Sequence, residues 1–470
     1  MTLVHRAVLE MPTHSKVTPM QIPKSSLTLV NHASVLIKGE VKAVLTDPWY
    51  EGEGFHKGWR LIHENSDADI RQLVRETSHI WISHEHPDHF AIGFFKKYKK
   101  DLIEGGISII FQETKDKRVV RYLQKEGLAV NELAHNQALN IEAGFSLRVI
   151  KDEFYDSALI CNVNGTVVFN LNDCPMHSLE RIEEFKRQYG VCDILLTQFS
   201  YAAWKGGRDN RAWRITAAQE KLSSLVNQGN ILEAKVVVPF ASYVWFSNEL
   251  NFYLNDSANK PQQLLEYCHA NDAKFQCLVL QPFESMPLTS EGHPQDPSSL
   301  AFWQAKYQDL DKRPRDAYSL SFDLDSLTPL FGAYCERLKK NNSWSLVRLI
   351  GKLKVLGAFA PISVKLIDTG EVLLIDLPAA SMTKAQRTPD IALHSESLAF
   401  IFRNAFGFDT LTVNGTFEEL QRGGFGRFTK NFAIENMNNL GYSLRPALFF
   451  NFKLLSIFAG RLAKVAKKLR

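Results

Sequence analysis

The stretch Ser83-His84-Glu85-His86-Pro87-Asp88-His89 constrains this chain more than any other feature. It sets three histidines and an aspartate within six residues, after the apolar run Ile80-Trp81-Ile82. Alternate side chains of an extended segment share a face, so His84 and His86 can grip one cation. Pro87 turns the chain, and beyond it Asp88 and His89 can serve a second cation a few ångströms away. Imidazole and carboxylate suit zinc, iron or manganese, and the pairing does not choose among them. The bland alternative is a solvated, His-rich turn, which an apolar strand leading straight into the cluster disfavours.

Around this motif the chain alternates short strands with helices. Leu27-Thr28-Leu29-Val30, Ser34 to Ile37 and Ala43-Val44-Leu45 read as strands closed by Asp47-Pro48, followed by a helix from Asp67 to Glu76. A helix is also expected over 90–100. A second strand-rich block contains Asn164-Gly165, a hairpin signal, between Leu159 to Val163 and Thr166 to Asn170. Two such blocks predict an α/β chain with two sheets flanked by helices. The expected organisation is a leader over 1–26, a catalytic domain over 27–300, a smaller α/β domain over 316–445 and a tail over 446–470. In the smaller domain, 393–405 reads as a helix and Leu411-Thr412-Val413-Asn414-Gly415 as a strand entering a turn.

A net charge of +4 over 470 residues is too mild for a nucleic-acid partner. Six scattered cysteines with no CxxC pair argue for free thiols in a reducing compartment. The first 26 residues lack the apolar stretch of a signal peptide, and no run of about 18 apolar residues occurs. A cytoplasmic location is therefore expected. In the tail, Leu454, Leu455, Phe458, Leu462, Val465 and Leu469 fall at helical spacing opposite Arg461, Lys464 and Lys468. Such a basic amphipathic helix fits peripheral contact with a membrane surface, self-association, or packing on the chain's own body.

The motif after its strand, Asn31-His32-Ala33, Asp47-Pro48 and Leu171-Asn172-Asp173 together resemble the metallo-β-lactamase superfamily. The resemblance implies an αββα sandwich, with Asp173 as the carboxylate bridging two metals. The superfamily's third histidine is absent, and Phe154-Tyr155-Asp156-Ser157 offers Asp156 in its place. The last-strand histidine is missing too, from Val238-Pro239-Phe240-Ala241-Ser242-Tyr243. Two histidines plus a carboxylate match the facial triad of non-heme iron oxygenases, which tilts the metal toward iron.

These departures, with Asp47-Pro48-Trp49, 58–64, Asn172-Asp173-Cys174 and 239–243, resemble the CMP-N-acetylneuraminate hydroxylase branch, over roughly 27–436. That resemblance implies an oxygenase acting on an N-acyl group of an amino sugar or nucleotide-sugar. Gln198 and Asn248 depart from the branch, which has an aspartate and a histidine there. Its Rieske ligand pairs are not matched either, since no cysteine precedes Cys161, so an external electron donor is expected.

The expected site is thus His84, His86 and Asp156 on one metal, and Asp88, His89 and Asp173 on or bridging a second, with Asp88 and Asp173 catalytic. Asp47 is expected to hydrogen-bond a ligating imidazole and fix its tautomer. His32 is expected on the pocket wall, with a structural core histidine as its alternative. Lys205-Gly206-Gly207-Arg208 reads as a basic loop for substrate phosphate, against a plain solvated loop. Three functions compete: the iron-dependent monooxygenase, a binuclear hydrolase of an ester, amide or phosphodiester, and a scaffold keeping a structural metal.

Overall fold

The computed structural model describes residues 25–152, 155–289, 293–353 and 357–446. Most of the expected leader and tail lies outside these residues. Two seven-stranded sheets form the body. The first runs Ser285–Pro287, Ser26–Asn31, Ser34–Lys38, Ala43–Thr46, His79–Ile82, Ser108–Gln112, Ala129–Leu133. The second runs Gln276–Cys277, Val236–Phe240, Ile194–Gln198, Thr166–Asn172, Ser157–Val163, Phe145–Lys151, Ala138–Glu142. Each sheet has three antiparallel pairings toward one edge and three parallel ones toward the other. This shared pattern leaves no repeat in the sequence.

Period-two alternation sorts the side chains. Leu27, Leu29, Val35, Ile37, Val44, Trp81 and Ile110 of the first sheet join Leu147, Val149, Leu159, Cys161 and Val168 of the second in one core. Their neighbours Leu36, Leu45, Ile80, Ile82 and Ile109 point the opposite way, into a second core. Both faces of the first sheet are therefore buried, which explains its near-continuous apolar strands.

The second core extends into the carboxy-terminal part. There a five-stranded sheet, ordered Ser381–Lys384, Val372–Asp376, Ile362–Leu366, Ile391–Leu393, Phe417–Glu419, packs with helices Leu324–Asn341, Ser395–Arg403 and Gly424–Asn439. Leu398, Phe408 and Phe432 belong to the same core as Phe55 and Trp59, so this part shares its packing with the sandwich. Two expectations fail. The segment read as a strand at Leu411 is the helix Gly407–Asn414, ended by left-handed Gly415. The single helix expected over 90–100 is two short ones, Ile92–Lys97 and Lys99–Glu104. No helix among the described residues is long and apolar enough to cross a membrane.

Side-chain amides tie the two parts together. Asn251 Nδ2 donates to the carbonyls of Gly58 (2.9 Å) and Asn414 (2.7 Å), and Asn414 Nδ2 donates to Phe55 O (2.9 Å). A Cβ at Gly58 would stand 2.3 Å from Asn414 Cβ and 2.9 Å from Phe55 O. Gly58→Ala is therefore expected to destabilise the chain by about 1–3 kcal/mol, the usual cost of overpacking. A urea midpoint unchanged from wild type would disprove that close approach.

Candidate metal centre

The loop after His79–Ile82 is held from both sheets. Asp47, just past the neighbouring strand Ala43–Thr46, accepts from Ser83 N and Ser83 Oγ, each at 2.8 Å. Ser83 O accepts from Gln112 Nε2 (3.0 Å) and from Ser157 Oγ (2.7 Å), which belongs to the second sheet. After Pro87 the chain turns tightly, with His89 N and Phe90 N both donating to His86 O.

Two groups of ligand-type atoms result. His84 Nε2 lies 2.9 Å from His86 Nδ1 and 3.5 Å from Asp156 Oδ1, and His84, His86 and Asp173 form one compact set. Asp88 Oδ2 lies 3.2 Å from His89 Nε2 and 3.3 Å from His32 Nε2, forming the other. Asp173 Oδ2 is 3.5 Å from His89 Nε2, so Asp173 stands between the groups. His32, expected on the pocket wall, sits in the second group instead. Its hairpin, between Ser26–Asn31 and Ser34–Lys38, ends beside the loop, a proximity set by the sheet and not by sequence spacing.

The donor set fits cations. His89 Nε2 and Asp88 Oδ1 are buried without a hydrogen-bond partner, although His89 Nε2 has two carboxylates within 3.5 Å. Such an arrangement suits lone pairs sharing a cation, and not hydrogen bonds. Burial and the neighbouring Asp173 push the Asp156 carboxyl up to about 7. Burial, with the nearby His89, lowers His84 well below the ordinary imidazole range and keeps it in the neutral, ligating form. Asp88 is held well below its usual range: burial opposes this, and the contacts with His89 and His32 outweigh it.

A further layer orients these groups. His89 Nδ1 is 3.1 Å from Asp47 Oδ2, His84 Nδ1 is 2.9 Å from Ser83 Oγ, and Asn172 Nδ2 donates to Asp47 Oδ2 at 3.0 Å. Asp47 (φ 36°), Asn172 (φ 48°) and Ala241 (φ 49°) all adopt the left-handed region here. Strain of this kind is held at sites by surrounding contacts, such as Ala241 N donating to His32 O at 2.6 Å.

Asp409 escaped the sequence reading. From helix Gly407–Asn414 its Oδ2 lies 3.1 Å from His86 Nε2, 323 residues away in the chain. Burial works against protonation of His86, yet Asp409 lifts it to about 9. A carboxylate on the far nitrogen fixes a metal-facing imidazole. Asp409→Ala is thus expected to weaken metal retention roughly 10–100-fold, with Asp409→Glu restoring part of it. Metal content after dialysis against graded chelator reads this, and wild-type retention in Asp409→Ala would refute it.

The remaining expected residues stand outside the two metal groups. Arg208 Nε donates to Glu418 (2.9 Å), and buried Arg214 donates to Gly207 O (2.7 Å) and Asp256. The glycine-bearing loop thus turns carbonyls toward an arginine. Lys205 is half-buried beside His177. Gln198 Nε2 donates to Asp173 Oδ1 at 2.6 Å, whereas Asn248 Nδ2 donates to Lys57 O. The centre opens past His86, Asp156 and Asp173, whose side chains keep 22%, 16% and 26% exposure, while His32, His84, Asp88 and His89 are closed in.

The two sheets packed face to face, with the histidine loop at a strand end, decide the architecture. This is the metallo-β-lactamase fold. No family model matches the chain. Over 265 residues it is 24% identical to the cytidine monophosphate-N-acetylneuraminic acid hydroxylase of Danio rerio, covering 53% of this chain and 43% of that protein. The Mus musculus hydroxylase is 23% identical over 256 residues, covering 51% of this chain and 43% of the relative. The chain thus spans less than half the length of these curated relatives. Among solved metallo-β-lactamase folds it is similar to CmlA, a diiron β-hydroxylase from Streptomyces venezuelae, at 14% identity and a TM-score of 0.39, over 57% of this chain and 55% of that one. It is also similar to the metallo hydrolase Igni18 from Ignicoccus hospitalis, at 13% identity and a TM-score of 0.36, over 56% and 97%.

Proposed function

We propose that this chain is an iron-dependent oxygenase hydroxylating an N-acyl amino sugar or nucleotide-sugar, with electrons from an external donor. The observation that carries the reading is Asp156, whose Oδ1 lies 3.5 Å from His84 Nε2. A carboxylate there makes the first group two imidazoles and acids, the hard, anionic set that suits iron over zinc. Similarity to hydroxylases named for a nucleotide-linked N-acetyl sugar supports the substrate class.

In this reading His84, His86, Asp156 and Asp173 hold one metal, and His32, Asp88, His89 and Asp173 the other. Bound iron would supply dioxygen activation beside the substrate. The chain's own residues do the rest. Asp47 and Asp409 hold His89 and His86 by their far nitrogens, and Gln198 holds Asp173 in place. The partly open edge at His86, Asp156 and Asp173 admits substrate, while buried His32, His84 and His89 exclude water from the inner side.

The test is metal analysis coupled to oxygen uptake. Protein from culture replete in iron and zinc should carry near-stoichiometric iron and consume oxygen with substrate and reductant. Zinc occupancy with oxygen-independent turnover would replace this reading with the hydrolase.

A further inference from the structure

Beside the open edge of the centre lies a cleft of about 830 Å³ whose lining includes His177, Tyr201, Lys205, Thr216, Glu220 and Lys221. The metal reading leaves its chemistry unused. Lys221, on helix Arg211–Ile231, donates from Nζ to Gln198 Oε1, and Gln198 in turn donates to Asp173. One glutamine therefore separates the cleft from the carboxylate standing between the two metal groups. Lys205 follows the strand Ile194–Gln198 in the chain. It makes no ion pair among the described residues, and the charge acting on it favourably is that of Glu220. The wall thus carries two ammonium groups and one acid.

Two half-buried lysines lining one cleft repel each other, and desolvation penalises both. Burial, with Lys205 adding to it and Asp173 opposing, lowers Lys221 to about 8. His177 is kept neutral by burial and by these lysines, with Nδ1 3.4 Å from Ser224 Oγ. Two cations with a neutral imidazole, on a wall with one acid, complement a doubly charged oxyanion better than a single carboxylate. Arg208 of the neighbouring loop and Arg214 of the helix that follows it are already engaged by Glu418 and Asp256.

We infer that the cleft of Lys205, Lys221 and His177 is a subsite for a phosphoryl group of a small-molecule ligand, held beside the metal centre. This deepens the proposed function and rests on the centre being the active site. Anion binding and metal chemistry can nevertheless fail separately.

Pyrophosphate is the probe, titrated calorimetrically into full-length protein with and without bound metal. Lys205→Ala and Lys221→Met should each weaken binding about tenfold or more, the scale of one lost charge-assisted hydrogen bond. Arg208→Ala should leave it within about twofold, as an exposed pair already formed with Glu418 predicts. In the unaltered protein, pyrophosphate should shield Lys205 and Lys221 from an amine-acylating reagent, mapped by mass spectrometry. That measurement stands even if a variant fails to fold. Wild-type affinity in the Lys205→Ala/Lys221→Met double variant would overturn the subsite, as would equal acylation with and without pyrophosphate. Binding that disappears on chelation yet ignores both lysines would show ligation by the metals alone and also overturn it. Malonate binding as tightly as pyrophosphate would overturn the phosphoryl assignment. Any of these results leaves iron content and oxygen uptake free to support or sink the oxygenase on their own.

Discussion

Asp173→Asn is expected to cost the chain most of its bound metal, retention falling by about 100-fold or more. Loss of a directly ligating group should exceed the roughly 10–100-fold typical of an orienting partner. The carboxylate belongs to the His84 and His86 group, and its Oδ2 is 3.5 Å from His89 of the other, so one substitution weakens both sets. Asparagine keeps the size and can still pair with Gln198, so the change tests charge and not shape. A second readout separates metal loss from misfolding. Without metal, Asp173 is one of the groups pushing the Asp156 carboxyl up, after burial itself. Neutralising it relieves that repulsion. Asp173 is also paired with His89, which holds its carboxyl down to about 2 against the pull of burial, so the metal-free variant should melt somewhat below the metal-free wild type but still cooperatively, while the rise in melting temperature on adding metal disappears. Full metal stoichiometry in Asp173→Asn, measured after desalting, would remove Asp173 from the centre.

Much of the architecture could be read from local signals. β-rich runs separated by turn residues marked the strands from Ser26 to Thr46, and the apolar run before His84 placed the loop at a strand end. Ser66 caps its helix by accepting from Asp69 N, next to the Asp67 at which the sequence began it. The helix Gly407–Asn414 was misread because Thr412 and Val413 favour strands and Asn-Gly signals a turn. Tertiary contacts override that preference: Phe408 and Leu411, three apart, share a buried face, and the Asn414 amide is satisfied by Phe55 O. His32, expected only on the pocket wall, and Asp409 and Lys221, which no motif singled out, were not placed at the centre for a different reason. Each reaches the centre or its edge from another strand or helix, and no spacing in one segment encodes a meeting across 323 residues.

Stripping the metals should lower the melting temperature by several degrees, and more at pH 8 than at pH 6.5. The first part follows from linkage: a ligand held at about 100 times its dissociation constant stabilises by about 2.7 kcal/mol. The pH dependence comes from the metal-free cluster. Asp156, raised to about 7, binds its proton more tightly folded than unfolded, so the stability this gives is lost as pH climbs to about 7. His86, raised to about 9 against the pull of burial, likewise loses its contribution as pH rises from the ordinary imidazole range toward 9. His84 is lowered and runs the other way, but its effect is complete once pH passes the unfolded value of 6.5. Between pH 6.5 and 8 the metal-free chain therefore loses stability on balance, whereas bound cations compensate the same carboxylates. The disturbance should also travel. His86 faces Asp409 on Gly407–Asn414, so freeing the imidazole loosens that helix, and its amide exchange should quicken on chelation ahead of the distant strand Ala138–Glu142. An unchanged melting temperature after complete removal of metal, with unchanged exchange over 407–414, would mean that the carboxy-terminal part merely packs beside the centre and does not help to build it.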